Sequence, residues 1–355
     1  MAEGEGGIRE IPLGYFSSIK IYCTTHMRQK AFALLIALFA SPAWAQPALF
    51  ASSCAEDSHI GEATRKALNS AAINFVDTFL GPDPSSGFAA LSKEGQEGVT
   101  QEQFAAQARV IEQLQPSDLR TQHVYLLNIA GKSARRVICA TDLKKPDGWE
   151  SLATINVPEQ AYVVMSAQAR NNSLAVTIWL VPESTGWKVQ SFWINASTLA
   201  DQGPIQLWEM ARRERDLGHK FNAVLLYAVA GQVANRGPNF QLGITQSISE
   251  DMAGLDVPAE IRGEAPFLWK DGSTTWKVLN VGPIAIGGKI YVVISHEVSS
   301  WQTNNQVDGW NKDLLAYVKN RFPEYSEVFA GLVARAHERG GNRGYGTVDE
   351  FTKNK

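Results

Sequence analysis

Of the six histidines in the chain, five follow residue 45: His59, His123, His219, His296 and His337. Imidazole titrates near neutral pH and is the commonest metal ligand, so these come first in a search for chemistry. No two of them stand four apart, the spacing that puts two imidazoles on one helical face. His296–Glu297 and His337–Glu338 are adjacent pairs, whose side chains diverge in a strand or a helix. The pattern predicts no metal site and no cofactor. His123 opens a predicted strand and is placed to line a pocket; otherwise it is a histidine at a strand end. Asp201, Glu250, Asp251, Glu260, Glu264 and Glu297 are available for glycan hydrolysis. That chemistry needs one acid and one base or nucleophile roughly 5–9 Å apart, and nothing in the spacing brings two of them together. No G-x-S-x-G elbow and no glycine-rich phosphate loop occurs, so no catalytic residue is assigned. The best binding candidate is aromatic. Trp301-Gln302-Thr303-Asn304-Asn305-Gln306 and Asp308-Gly309-Trp310 set two indoles around a run of amides. Indole faces stack on apolar or sugar rings and amides both donate and accept, which makes Trp301, Asn304, Asn305 and Trp310 candidate ligand residues for a glycan or a peptide. The alternative is that Trp301 and Trp310 anchor a loop.

The elements that must hold these residues follow from periodicity. Leu68, Ala71, Ala72, Phe75, Val76 and Leu80 recur at helical spacing over residues 62–80. Gly81-Pro82-Asp83-Pro84 ends that helix. Thr100, with Gln103 three residues on, reads as a capping box that starts a second helix, and Pro116 stops it. The period then changes. Residues 123–129, 136–140, 161–169, 173–181 and 187–194 alternate or run apolar, with β-branched residues enriched. Asn171-Asn172 and Ser184-Thr185-Gly186 read as hairpin turns between them. Helices followed by an antiparallel meander is the α+β pattern, with the helices on one face of a curved sheet.

This order and these local motifs resemble the NTF2-like superfamily, including its small secreted domains of unknown function. The residues that carry the resemblance are Ala72, Phe75 and Leu80 of the opening helix, the Thr100-x-x-Gln103-Phe104 helix start, and the last hairpin ending in Gly186-Trp187-Lys188-Val189. It covers roughly residues 54–197 and implies a cone with a cavity between helices and sheet. The polar pocket constellation of the enzymatic members is not found in this sequence.

Residues 204–237 read as a helical connector, with Trp208, Ala211, Leu217, Phe221, Val224, Leu225, Ala228 and Val233 along one stripe. Gly218 marks a turn between two helices or a close contact. Leu217-Gly218-x-x-Phe221 faintly resembles a tetratricopeptide unit, of which no second copy follows. Residues 260–339 read as a small α+β domain: strands over 266–269, 274–281 and 289–298, a turn at Asp271-Gly272, then helices over 310–318 and 325–339. The glycine-rich end, 340–355, reads as a flexible tail. Ser184-Thr185-Gly186-Trp187-Lys188-Val189 echoes Ser273-Thr274-Thr275-Trp276-Lys277-Val278, which raises the possibility of a degenerate duplication.

Residues 27–45, MRQKAFALLIALFASPAWA, have the parts of a secretion signal: a positive start, an apolar run too short to span a bilayer and an A-x-A site before Gln46. Met27 is then the expected start and residues 1–26 an over-extended one; the alternative is a genuine extension with the apolar run as an uncleaved anchor. Cleavage places the protein outside the cytoplasm, with the periplasm as the expected compartment, and leaves a chain long enough for two domains. It also removes Cys23 and leaves Cys54 and Cys139, which in an oxidising compartment are expected to pair; otherwise they are two buried thiols. A net charge of −3 gives no basic field for nucleic acid, and an apolar fraction of 45% suits a folded chain. No later apolar run is long enough for a membrane helix. The expectation is an exported, non-catalytic binding or assembly module of the cell envelope, its partner a small molecule, a glycan or an envelope protein. The competing expectation is an envelope hydrolase that works through paired carboxylates.

Overall fold

The structure is a computed structural model that describes residues 53–129, 135–169, 172–301 and 303–351. The signal at 27–45 and Asn171 of the first hairpin turn lie outside the described residues. Strand β1 (Ser53–Glu56) runs through a 3-10 turn (Asp57–His59) into helices α1 (Glu62–Phe79), α2 (Pro84–Phe88), α3 (Lys93–Glu97) and α4 (Gln101–Glu112). Strands β2 (Ser117–Asn128), β3 (Arg136–Ala140), β4 (Trp149–Ala153), β5 (Glu159–Gln168), β6 (Ser173–Glu183) and β7 (Gly186–Ala196) follow. Next come α5 (Pro204–Asp216), α6 (Lys220–Ala234), β8 (Phe240–Leu242) and α7 (Gly243–Ala253). The chain closes with β9 (Phe267–Asp271), β10 (Thr274–Ile286), β11 (Lys289–Val298), α8 (Asn304–Arg321), α9 (Tyr325–Val328), β12 (Gly331–Glu338) and β13 (Gly344–Glu350). The architecture is mixed α+β with three sheets: β1-β2-β5-β6-β7, β3-β4-β8 and β13-β12-β11-β10-β9.

Local chemistry fixes the first layer. The Thr100 hydroxyl accepts the Gln103 N–H and the Gln103 side chain accepts the Thr100 N–H, the reciprocal capping box expected from the sequence. The helices bury one face of the first sheet. At its centre the rings of Phe75, Phe79, Phe104 and Phe192 interlock, with Phe192 centroids 4.9 Å from both Phe75 and Phe79 and Phe104 4.9 Å from Phe79. These rings pack at contact distance between the helices and the sheet. The opposite face of the same sheet carries Tyr125, Leu127, Tyr162 and Trp179, which pack on Val137, Cys139, Leu152 and Phe240 of the three-stranded sheet. Tyr162 stacks on Trp179 at 5.4 Å, and the indole N–H of Trp179 donates to the buried Gln160.

The rest of the chain forms a second core. Gly218, at φ +81°, turns α5 into α6, the break expected there. Both helices share one buried cluster with α7, α8 and one face of the second five-stranded sheet, through residues such as Leu207, Phe221, Trp269, Ile294 and Leu314. The segment read as a connector is thus part of a packed core. Two further expectations are corrected. The helix expected over 325–339 is one turn, α9, followed by β12, because Leu332, Val333 and Ala334 pair in parallel with Val292, Val293 and Ile294. Alternating pairing against β11 outweighs the helical propensity of its alanines, arginine and glutamate. The tail expected over 340–355 holds β13, paired antiparallel to β12 from Gly344↔His337 to Glu350↔Gly331. The two similar turn segments sit in sheets of different order, the second with a parallel β11–β12 pair and the first with antiparallel pairs only. The duplication reading is therefore dropped in favour of shared hairpin chemistry. Among the described residues, no helix is long and apolar enough to cross a membrane.

Cys54 and Cys139, 85 positions apart in the sequence, form a disulfide, Cα to Cα 5.5 Å. It joins β1, the edge of the first five-stranded sheet, to β3, the edge of the three-stranded one. Closing a loop of this length in the unfolded chain is worth about 4 kcal/mol. Urea unfolding of a Cys54→Ser/Cys139→Ser variant is expected to show a loss of about that size; a loss under ~1 kcal/mol would contradict a structural role for the bridge.

Candidate functional site

The rim where β1, β2 and β4 meet gathers several ionisable groups. Cys54 and Glu56 stand two apart on β1, opposite Leu127 and Tyr125 of β2, and so share the face turned to the three-stranded sheet. Cys139 lies directly opposite Glu150 in the β3–β4 pair. The disulfide therefore carries Glu150 and Glu56 to the same rim. Asp57 continues β1 in the left-handed region at φ 43°, a conformation that aspartate tolerates better than most residues. One of its oxygens accepts the Val124 N–H at 2.9 Å, next to the register shift between Thr121 and His123 in the β2–β5 ladder. The bulge turns His123 toward the acids. His123 Nδ1 lies 3.1 Å from Glu56 Oε1 and 3.1 Å from Asp57 Oδ2. The donor atoms of these three residues fall within 4.8 Å of one another.

Glu150 is the inner member. Burial and, after it, the charge of Glu56 push its carboxyl up to about 7, against the pull of His123 and of a hydrogen bond with Tyr125. The Tyr125 phenol is held well above its usual range, first by burial and then by the charges of Glu150, Glu56 and Asp57, so it stays protonated and donates to Glu150. No lysine or arginine pairs with Glu56, Asp57 or Glu150 among the described residues. The cluster holds three carboxyls against one half-exposed imidazole, with one carboxyl positioned to exchange a proton near neutral pH.

Of the residues singled out in the sequence, His123 and the two cysteines lie at this rim. Trp301 precedes α8 and Asn304, Asn305 and Trp310 lie on it, outside this rim. The Trp301 indole N–H donates to Asn304 Oδ1 at 3.3 Å, and the Arg343 guanidinium sits 5.4 Å from its ring centroid. Trp301 and Trp310 both pack on Val298, Val307 and Ala336, and Asn305 is exposed. The six acids considered for hydrolysis do not converge. Asp251 accepts from Trp208, Arg215 and Tyr227; Glu260 pairs with Arg321; Glu297 pairs with Lys277 and Arg339; Glu250 accepts from Gln246; Asp201 and Glu264 are exposed. His296 is buried against Asn311, and its imidazole is held below the usual value by that burial. Glu56, Asp57, Tyr125 and Glu150 were not singled out. The nearest sequence signal was the cysteine pair, which places Glu56 two residues from a bridge; β4, which carries Glu150, had no periodic signal. Compared with protein-family models, curated proteins and solved structures, the chain matches none of them.

A carboxyl raised from 4.5 to about 7 gives the folded state one more proton than the unfolded state between those values. Stability is then highest below the window and falls as pH rises through it. Melting curves from about pH 4.5 to 7.5 are expected to show a decline of a few degrees that Glu150→Gln removes. Superimposable pH profiles for the two proteins would contradict the placement of Glu150.

Proposed function

We propose that the protein is an exported binding module of the cell envelope whose ligand presents a cationic group to Glu56, Asp57, His123 and Glu150. The observation that carries this reading is the unbalanced charge of the rim: three carboxyls with a single imidazole to answer them. Export is supported by the signal pattern at 27–45 and by the Cys54–Cys139 bridge, which belongs to an oxidising compartment. An NTF2-like first domain is supported by α1 to α4 packed on one face of the β1-β2-β5-β6-β7 sheet.

Carboxylate oxygens with one imidazole nitrogen suit a borderline divalent ion such as Zn²⁺ or Mn²⁺, and the oxygens alone suit an ammonium group. A protonated His123 Nδ1 donates to its carboxylate neighbours. Glu56, Asp57 and the unprotonated His123 Nδ1 would hold a divalent ion, the imidazole hydrogen then residing on Nε2. Binding also draws the proton from Glu150. Calorimetric titration with Zn²⁺, Mn²⁺ and a diamine is expected to show binding to the wild type, with a heat that depends on the buffer. Asp57→Asn and His123→Ala are expected to weaken it at least about tenfold, near 1.4 kcal/mol. No binding by any of the three probes, or binding that both variants leave intact, would contradict the reading.

The raised carboxyl of Glu150 beside Glu56 favours a second reading, an envelope hydrolase with Glu150 as general acid. Release of reducing ends from soluble glycan fragments by the wild type, abolished in Glu150→Gln, would favour it over the first.

A further inference from the structure

Successive residues of a strand point to opposite faces, so β4 turns Glu150 toward the rim and Trp149 away from it. On Trp149's side the three-stranded sheet and α7 enclose an open cleft of about 400 Å³. The cleft is built rather than incidental. A Cβ on Gly243 would come within 2.7 Å of the Trp149 indole and 2.7 Å of the Pro146 carbonyl oxygen, so only glycine lets α7 close on the ring. Two of the cleft's lining side chains are apolar and wet: Ile138 is 58% and Leu143 65% exposed, two of the largest exposures among the large apolar side chains of the described residues. Solitary exposed leucines need no explanation, but two beside a half-buried indole in one concavity do.

The lining also carries charge. Lys144 and Lys145 belong to it, and neither ammonium has a carboxylate partner among the described residues. The acids of the same turn, Asp142 and Asp147, are not part of the lining, and Asp142 accepts the Lys144 backbone N–H. Glu250, on α7, also lines the cleft and accepts from Gln246 at 2.7 Å. We propose that this cleft is a second binding site, for an amphiphile with one anionic head. The head, a carboxylate or a phosphate, sits on Lys144 and Lys145, the apolar chain lies over Ile138, Leu143 and Trp149, and Glu250 turns away a second negative charge. The site lies on the opposite face of the three-stranded sheet from Glu150 and stands whether or not the rim binds a cation.

The test titrates the full-length protein with decanoate, decyl phosphate and uncharged decyl glucoside below their micelle concentrations, with tryptophan fluorescence and calorimetry as readouts. At least one of the two anions is expected to bind about tenfold or more tighter than the glucoside, and the tighter anion identifies the head group. Lys144→Gln/Lys145→Gln is expected to remove that preference, and Leu143→Ser to weaken the ligands alike. All three positions are exposed, so the fold survives the changes, and circular dichroism verifies it. Absence of binding by either anion, equal binding of the glucoside, or affinities that both variants leave unchanged would overturn the proposal.

Discussion

Cys54 and Cys139 link the outer strands of two different sheets, and most of what the rim can do depends on that link. Without it, β3 and β4 hold to the first five-stranded sheet through Tyr125, Leu127, Tyr162, Trp179 and Phe240, a patch of aromatic packing with no backbone ladder between the sheets. The bridge fixes the approach at the one edge where the packing gives way to charge. Glu56 follows Cys54 by two residues and Glu150 faces Cys139 across the ladder, so a single covalent bond sets the distance at which two like charges meet. Burying a carboxyl beside another costs free energy unless one of them stays protonated, and Glu150 takes that course.

The two faces of the same sheet are packed differently. Four phenylalanines interlock at contact distances between the helices and one face. Stability is concentrated on the helix side, and the opposite face is left to be partitioned by the small three-stranded sheet. That sheet has chemistry on both faces: the acid rim around Glu150 on one, the cleft around Trp149 on the other.

Much of the fold was legible because it rests on local signals. The capping box at Thr100, the turns at Gly186 and Gly272, the break at Gly218 and the cysteine pair each act over a few residues or obey simple redox arithmetic. What was missed depends on distant partners. Residues 331–338 carry alanines, arginine and glutamate that favour helix locally, and only pairing with β11 makes them a strand. The glycines after 340 suggest mobility, and only the free edge of β12 orders them. The site failed for the same reason. Asp57, Tyr125 and Glu150 are scattered over nearly a hundred residues and share no spacing, and Glu150 acquires its character from neighbours that β4 meets only after folding. His123 was found because a lone histidine at a strand start is worth examining; its partners had no such marker.

The most direct test is the titration of Glu150 itself, followed through the side-chain carboxyl carbon by NMR in the wild type and in Cys54→Ser/Cys139→Ser. The account predicts a midpoint close to 7 in the bridged protein and a return toward 4.5 when the bridge is removed, with Glu56 free to move away. A wild-type midpoint in the ordinary carboxyl range, or a raised one that ignores the loss of the bridge, would contradict it.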